Sequence, residues 1–371
     1  MLLEYTVKRG FWGNEYPGMG IGLPDSGGMD MYIMGMDGTS RPLLEVEDLS
    51  IGFENEEGVA AITDRVSFAI RSGEAYGLVG ESGCGKSVTC LSLLRLLPVP
   101  GGRVLSGRIL FRGRDILKMS AEELRDLRGG SIGMIFQEPG AALNPLWPIK
   151  RQLLEPFRYH AHAGDPERRI RSLLDRVGIA DPDRVLSAYP HQLSGGMLQR
   201  VMIAMALSLN PALLIADEPT TALDVTVQAQ IMELIGDLRR ETDAAVLMVT
   251  HNLNLVAQYA DRVGVMYAGR MAEESPVDDF LRRTLHPYSQ GLLSALPRLD
   301  AGADAGLMKP IPGQVPRPSE YLSGCRFRDR CPHAFEPCGR KPGLFPAGQG
   351  HTVACFLHAP APAAASAGVS A

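Results

Sequence analysis

The sequence predicts an α/β fold, a mostly parallel sheet with flanking helices, and three observations predict it. A buried-strand pattern over residues 74–79 runs directly into Gly80-Glu81-Ser82-Gly83-Cys84-Gly85-Lys86-Ser87 and then into an apolar helical stretch. That is the strand–loop–helix setting of a phosphate-binding loop. Farther on, strand and helix patterns alternate from residue 196 to residue 267, the signature of parallel strands joined by crossover helices. Between them, residues 138–198 have helical spacing broken by Pro and Gly and no strand runs, which predicts a helical insertion.

The elements follow in order. Residues 1–42 are rich in Gly and Met and show no period of 2 or 3.6, so they are expected to form a disordered arm. Short alternating or apolar runs at 44–53, 60–70 and 107–111 predict a strand-rich opening region. The helix after the phosphate loop is predicted over 86–97, stopped by Pro98. An apolar run at 132–136 ends at Gln137, and insertion helices are expected at 151–161, 166–177 and 182–188. Helices at 196–209, 225–240 and 253–259 then alternate with strands at 212–216, 245–250 and 262–267. Pro310, Pro312, Pro316 and Pro318 mark the approach to a small cysteine-bearing module over 286–358, followed by an unstructured Ala/Pro tail at 359–371.

With 371 residues and 45% hydrophobic content, the chain can bury one large or two modest cores. Its longest apolar stretch, 201–216, is interrupted by Asn210-Pro211 and is too short to span a bilayer. The N-terminus lacks a basic region followed by an apolar one, so neither a membrane span nor a secretion signal is expected. A net charge of −5 argues against nonspecific nucleic-acid binding, and no nucleic-acid partner is expected. Four of six cysteines fall within the last fifty residues, a clustering that suggests metal before disulfide.

In the phosphate loop, glycines let successive backbone N–H groups curl around phosphate oxygens, and a helix N-terminus adds its positive dipole end. Lys86 is expected to reach the β- and γ-phosphates, and the Ser87 hydroxyl to ligate Mg²⁺. The nucleotide-binding set is Gly80, Glu81, Ser82, Gly83, Cys84, Gly85, Lys86, Ser87 and Val88. The strand at 212–216 delivers Asp217 and Glu218 at its C-terminal end, where open α/β sheets place ligands. Asp217 would hold Mg²⁺, and Glu218 would deprotonate a water in line with the γ-phosphate. Gln137, long and neutral, can contact both the metal and that water, and His251 can hydrogen-bond the γ-phosphate. Ser194-Gly195-Gly196 begins a helix and offers a hydroxyl and unhindered N–H groups to an anion. A chain with one phosphate loop has no need of a second such site in the same pocket. This face is therefore expected to cover nucleotide bound on a partner subunit.

Taken in order, the phosphate loop, Gln137, the Ser-Gly-Gly element, the Asp217-Glu218 strand, Thr221-Ala222-Leu223-Asp224 and His251 resemble the nucleotide-binding subunit of an ATP-binding cassette (ABC) transporter over residues 43–285. Tyr189-Pro190-His191, Ala142-Leu143-Asn144-Pro145 and His286-Pro287-Tyr288 resemble, more narrowly, the ATPases of oligopeptide and dipeptide importers. Nickel importers share much of this pattern, so a nickel or other small-solute importer is the alternative, and a soluble non-transport cassette ATPase is the rival class. The resemblance implies a P-loop ATPase fold with an antiparallel β subdomain and a helical subdomain. It implies two ATPase subunits, here expected to be unlike chains, closing head to tail around two ATP molecules with Asp224 communicating across the interface. Two transmembrane permease subunits and an extracytoplasmic solute-binding protein complete the expected assembly, and this chain would sit at the cytoplasmic face of the membrane. Phe53 is the candidate for stacking on adenine, or else a buried strand residue. Met197, where many cassette proteins have glutamine, is usual in the peptide-importer branch; Leu198 departs from the basic residue often found there.

Cys325, Cys331, Cys338 and Cys355 are spaced C-x₅-C-x₆-C-x₁₆-C, wider than the pairs of common zinc ribbons. Four thiolates suit Zn²⁺ or an iron–sulfur cluster. The resemblance to peptide-importer ATPases with a C-terminal cluster implies [4Fe–4S], with His333, His351 and His358 as lesser candidates.

Overall fold

A computed structural model describes residues 41–55, 58–220, 224–295 and 311–360. The expectations for residues 1–40, Thr221-Ala222-Leu223 and 361–371 lie outside the described residues.

Two sheets organise the chain. In the smaller, antiparallel one, β1 (Leu44–Asn55) pairs with β2 (Gly58–Ala61), β3 (Val66–Ile70) and β5 (Gly102–Phe111), and β6 (Arg114–Asp115) extends β5. The run at 60–70 is thus two strands. The chain turns at Ile62 and Thr63, whose N–H groups both donate to the Ile51 carbonyl, while the Thr63 hydroxyl accepts from Ile51 N–H at 2.9 Å.

The larger sheet has the order β12 (Phe345–Gly348), β13 (His351–Val353), β11 (Arg270–Pro276), β10 (Arg262–Tyr267), β4 (Ala75–Val79), β9 (Ala245–Thr250), β8 (Leu213–Asp217), β7 (Ile132–Ile135). Its parallel part consists of β4 (Ala75–Val79), β7 (Ile132–Ile135), β8 (Leu213–Asp217), β9 (Ala245–Thr250) and β10 (Arg262–Tyr267). Every residue of β4, β7, β8 and β9 is buried, as expected of parallel strands covered on both faces. Alternate residues feed opposite cores. Leu214, Ala216, Val246 and Met248 join the core under the helical insertion, and Leu213, Ile215, Leu247 and Val249 join the core against the antiparallel sheet.

The helices are α1 (Lys86–Leu93), α2 (Ala121–Leu127), α3 (Pro139–Ala142), α4 (Ile149–Tyr159), α5 (Pro166–Arg176), α6 (Pro182–Ser187), α7 (Gly195–Ala206), α8 (Val225–Thr242), α9 (Leu253–Tyr259), α10 (Val277–Arg282) and α11 (Pro287–Ser294). Helix α1 stops four residues before its predicted end: Arg95 takes a left-handed φ of 51° and sends its guanidinium to the Met119 carbonyl at 2.7 Å. Helices α3 to α6 form the helical insertion, with α5 and α6 capped by Asp165 and Asp181 and opened by Pro166 and Pro182.

The sheet continues past β10 through strands that periodicity did not indicate. β11 (Arg270–Pro276) returns antiparallel to β10, and β13 (His351–Val353) pairs with β11, followed outward by β12 (Phe345–Gly348). Residues of the C-terminal segment therefore form one edge of the main sheet. Glu273 fastens that edge from within. Its fully buried carboxylate accepts from the Leu285 and His286 N–H groups at 2.8 and 2.9 Å and faces His351 Nε2 at 2.9 Å.

Candidate nucleotide site

The parallel strands end together, so their following residues share one rim: Gly80 after β4, Gln137 shortly after β7, Asp217 and Glu218 at β8, and His251 after β9. The loop between β4 and α1 needs glycine. Gly80, Gly83 and Gly85 have φ of 153°, 79° and 103°, and a Cβ at Gly80 would lie 2.2 Å from the Met266 carbonyl oxygen. Lys86, buried at the head of α1, donates to the Gly80 and Glu81 carbonyls at 2.7 and 3.0 Å and lies 3.7 Å from Cys84 Sγ. Ser82 and Gly83 are exposed at the loop tip, and Ser87 and Val88 are half-buried on the first turn.

Beside the loop, the Ser87 hydroxyl donates to Asp217 at 3.2 Å. Gln137 Nε2 donates to Glu218 at 3.1 Å, and His251 Nδ1 meets the other Glu218 oxygen at 3.2 Å. Glu218 holds a left-handed φ of 48° while its N–H donates to the Val249 carbonyl, so the backbone turn that aims its carboxylate is anchored to β9. The structure thus brings Lys86, Ser87, Gln137, Asp217, Glu218 and His251 together, six residues spread over 166 positions of sequence. Ser87, Asp217 and Gln137 supply hydroxyl, carboxylate and amide oxygens, the hard donors that suit Mg²⁺.

Burial pushes the Asp217 carboxyl up to about 6, with Glu218 adding in the same direction while Ser87 and Lys86 oppose it. The sign of the resulting pH dependence follows. The folded carboxyl titrates near 6 and the ordinary one near 3.8, so between those values the folded protein holds a proton that the unfolded chain has lost. Stability of nucleotide-free protein is expected to fall by up to about 3 kcal/mol as pH rises from about 4 to 6, then to level off. Urea unfolding across that range should show the slope, and Asp217→Asn should flatten it.

Ser194, Gly195 and Gly196 stand apart from this rim. The Ser194 hydroxyl caps α7, accepting from Met197 N–H at 3.3 Å, and Ser194 and Gly195 are exposed. With exposed Asp224, which caps α8 through Val227 N–H at 3.0 Å, Ser194 and Gly196 line a pocket that contains no residue of the phosphate loop. Phe53 sits half-buried on β1, opposite Ala60 and Gly102.

Cys325, Cys331, Cys338 and Cys355 all line one pocket together with His286, His333 and three phenylalanines. His351 and His358 are not among these residues; they face Glu273 and the Leu285 carbonyl instead. Among the described residues no group of three or more His, Cys, Asp or Glu is arranged to hold a metal ion. The described residues therefore do not show the expected iron–sulfur or zinc centre, although the four thiols share one pocket. Burial raises the Cys325, Cys331 and Cys355 thiols, the last to about 11.

Two contacts with the phosphate loop had no sequence signal of their own. The Tyr288 hydroxyl accepts from Glu81 N–H at 2.8 Å, and the Arg330 guanidinium grips both Glu81 carboxylate oxygens at 2.8 and 3.0 Å.

A family model described as ABC transporter matches residues 63–221, and one described as oligopeptide/dipeptide transporter, C-terminal region, matches residues 272–338. A probable peptide ABC transporter ATP-binding protein of Sinorhizobium fredii is 47% identical over 317 residues, 85% of this chain and 94% of that protein. The chain belongs to the ABC transporter ATP-binding proteins. Like other members of that family, this ABC protein is similar to a dipeptide transport ATP-binding protein of Bacillus subtilis, at 47% identity over 85% of this chain and 94% of that one. An oligopeptide transport ATP-binding protein of Salmonella typhimurium is 46% identical over 85% and 93% of the two chains. Among solved structures, a dimeric ATP-binding cassette in a post-hydrolysis state bound to ADP and Pi matches with a TM-score of 0.57 at 26% identity, covering 63% of this chain and 98% of that one. The ABC protein is an ATPase with the P-loop fold of that family. No helix among its described residues is long and apolar enough to cross a membrane.

Proposed function

We propose that this ABC ATPase powers an importer of oligopeptides or dipeptides, docked on a membrane permease at its cytoplasmic face. The observation that carries the reading is the Glu218 carboxylate held between Gln137 and His251, directly beside the Ser87–Asp217 pair. Glu218 serves as the base that takes a proton from the attacking water, Gln137 and His251 fix its two oxygens, and Lys86 holds the phosphates. Ser87 and Asp217, with Gln137, would hold Mg²⁺, which would supply charge neutralisation at the phosphates. Phe53 stacks on adenine. The exposed Ser194 helix tip and Asp224 complete a site on a second, unlike ATPase subunit.

The match of residues 272–338 to the oligopeptide/dipeptide C-terminal region supports peptides as the solute over nickel. Purification of the membrane complex with its solute receptor, and identification of the bound ligand, tests this. A peptide is expected; a nickel chelate would overturn the solute, and absence of any permease subunit would overturn the transport role. Four soft donors on one pocket also support a [4Fe–4S] centre held by Cys325, Cys331, Cys338 and Cys355. Anaerobic purification should yield about four iron and four sulfide per chain; zinc alone, or no metal, would sink it.

A further inference from the structure

We propose that Arg330 and Tyr288, both supplied by the C-terminal segment, are positioning residues for the phosphate loop, so that nucleotide affinity depends on the cysteine-bearing segment being docked. The inference rests on the loop at Lys86 being the nucleotide site.

Glu81 is the first residue of the loop after Gly80, and three of its polar groups are engaged. Its N–H donates to Tyr288, its carboxylate receives the Arg330 fork, and its carbonyl accepts from Lys86. The Lys86 ammonium therefore rests on a residue whose place is set from 207 and 249 positions away. Arg330 is suited to this. Its side chain is only 8% exposed, and its remaining donors reach the Pro312 and Gly313 carbonyls and the Tyr267 hydroxyl at 2.7, 3.3 and 3.3 Å. A planar fork fixed on both sides gives a bidentate pair direction as well as attraction, which a lysine could not reproduce.

The same segment reaches the loop by packing. Tyr288 packs at a tilt against Tyr267, 4.6 Å between ring centroids, and against Phe327 at 5.4 Å. Phe327 also lines the cysteine pocket, and Arg330 immediately precedes Cys331, which lines it too. The pocket and the loop are thus joined by two routes, one aromatic and one ionic.

The test is titration of the full-length chain with a fluorescent ATP analogue. Arg330→Ala and Glu81→Gln are each expected to raise Kd about fivefold, and the double variant to be no worse than either single. For Arg330→Ala in the assembled transporter the KM for ATP should rise with kcat within about twofold, a split that general loss of fold would not give. Tyr288→Phe, which keeps the buried ring and removes only the acceptor, should raise Kd about twofold even if Arg330→Ala fails to fold. Wild-type affinity in either variant, or single effects that multiply in the double, would overturn the proposal. Failure of the parent reading looks different: Lys86→Ala would then bind the analogue as tightly as wild type.

Discussion

Glu218→Gln is expected to lower ATP turnover by about 10²–10⁴-fold while leaving nucleotide binding intact. The substitution preserves volume and hydrogen-bonding reach, so the amide can still lie between Gln137 and His251, and the backbone bond to Val249 is untouched. What disappears is the site that accepts the proton of water. With closure still driven by binding, the variant should accumulate as a nucleotide-loaded pair of ATPase subunits, visible by size exclusion or sedimentation in ATP. Turnover within threefold of wild type would remove Glu218 from the chemistry.

Ser194→Arg is expected to cut turnover by about 10²-fold by a different route. Ser194 is exposed at the N-terminus of α7 and takes no part in holding the chain's own phosphate loop. The bulky side chain should leave this chain's nucleotide affinity within about twofold of wild type, because Lys86 and its loop are unchanged. It should instead block the tip from covering a triphosphate on the partner. The two variants therefore separate in one assay: the closed pair accumulates with Glu218→Gln, fails to form with Ser194→Arg, and fails to form when both changes are present. A Ser194→Arg protein that closes normally in ATP would show that this tip faces no γ-phosphate.

The parallel strands were legible because burial on both faces demands uninterrupted apolar runs, and β9, α9 and β10 begin and end where the pattern places them. Asp217 and Glu218 were legible for the same reason, as charges that end such a run. Local signals failed where distant groups decide the outcome. Arg-Met-Ala-Glu-Glu-Ser-Pro over β11 does not read as a strand, since Glu273 lies buried and Glu274 half-buried only because His351 and Arg262 arrive to pair with them. Arg262 and Glu274 in turn flank Tyr76 on β4, whose hydroxyl donates to Glu274 at 3.1 Å. The end of α1 was placed four residues late because Arg95 is diverted by the Met119 carbonyl, which no helix propensity reports. The Glu81 contacts were invisible for the plainest reason: the His286-Pro287-Tyr288 motif gave Tyr288 no role, and Arg330 is an ordinary residue until the fold carries it back to the loop.

The buried Glu273 carboxylate gives the chain an order of completion during synthesis. Its histidine neighbour and the strand that shields β11 emerge from the ribosome some eighty residues after it. Until then the nascent domain presents a raw sheet margin and a carboxylate short of one of its donors, and a prematurely terminated chain stays in that condition. A chain that ends before His351 would thus keep an unpaired strand edge beside a buried carboxylate, a combination that favours aggregation over folding.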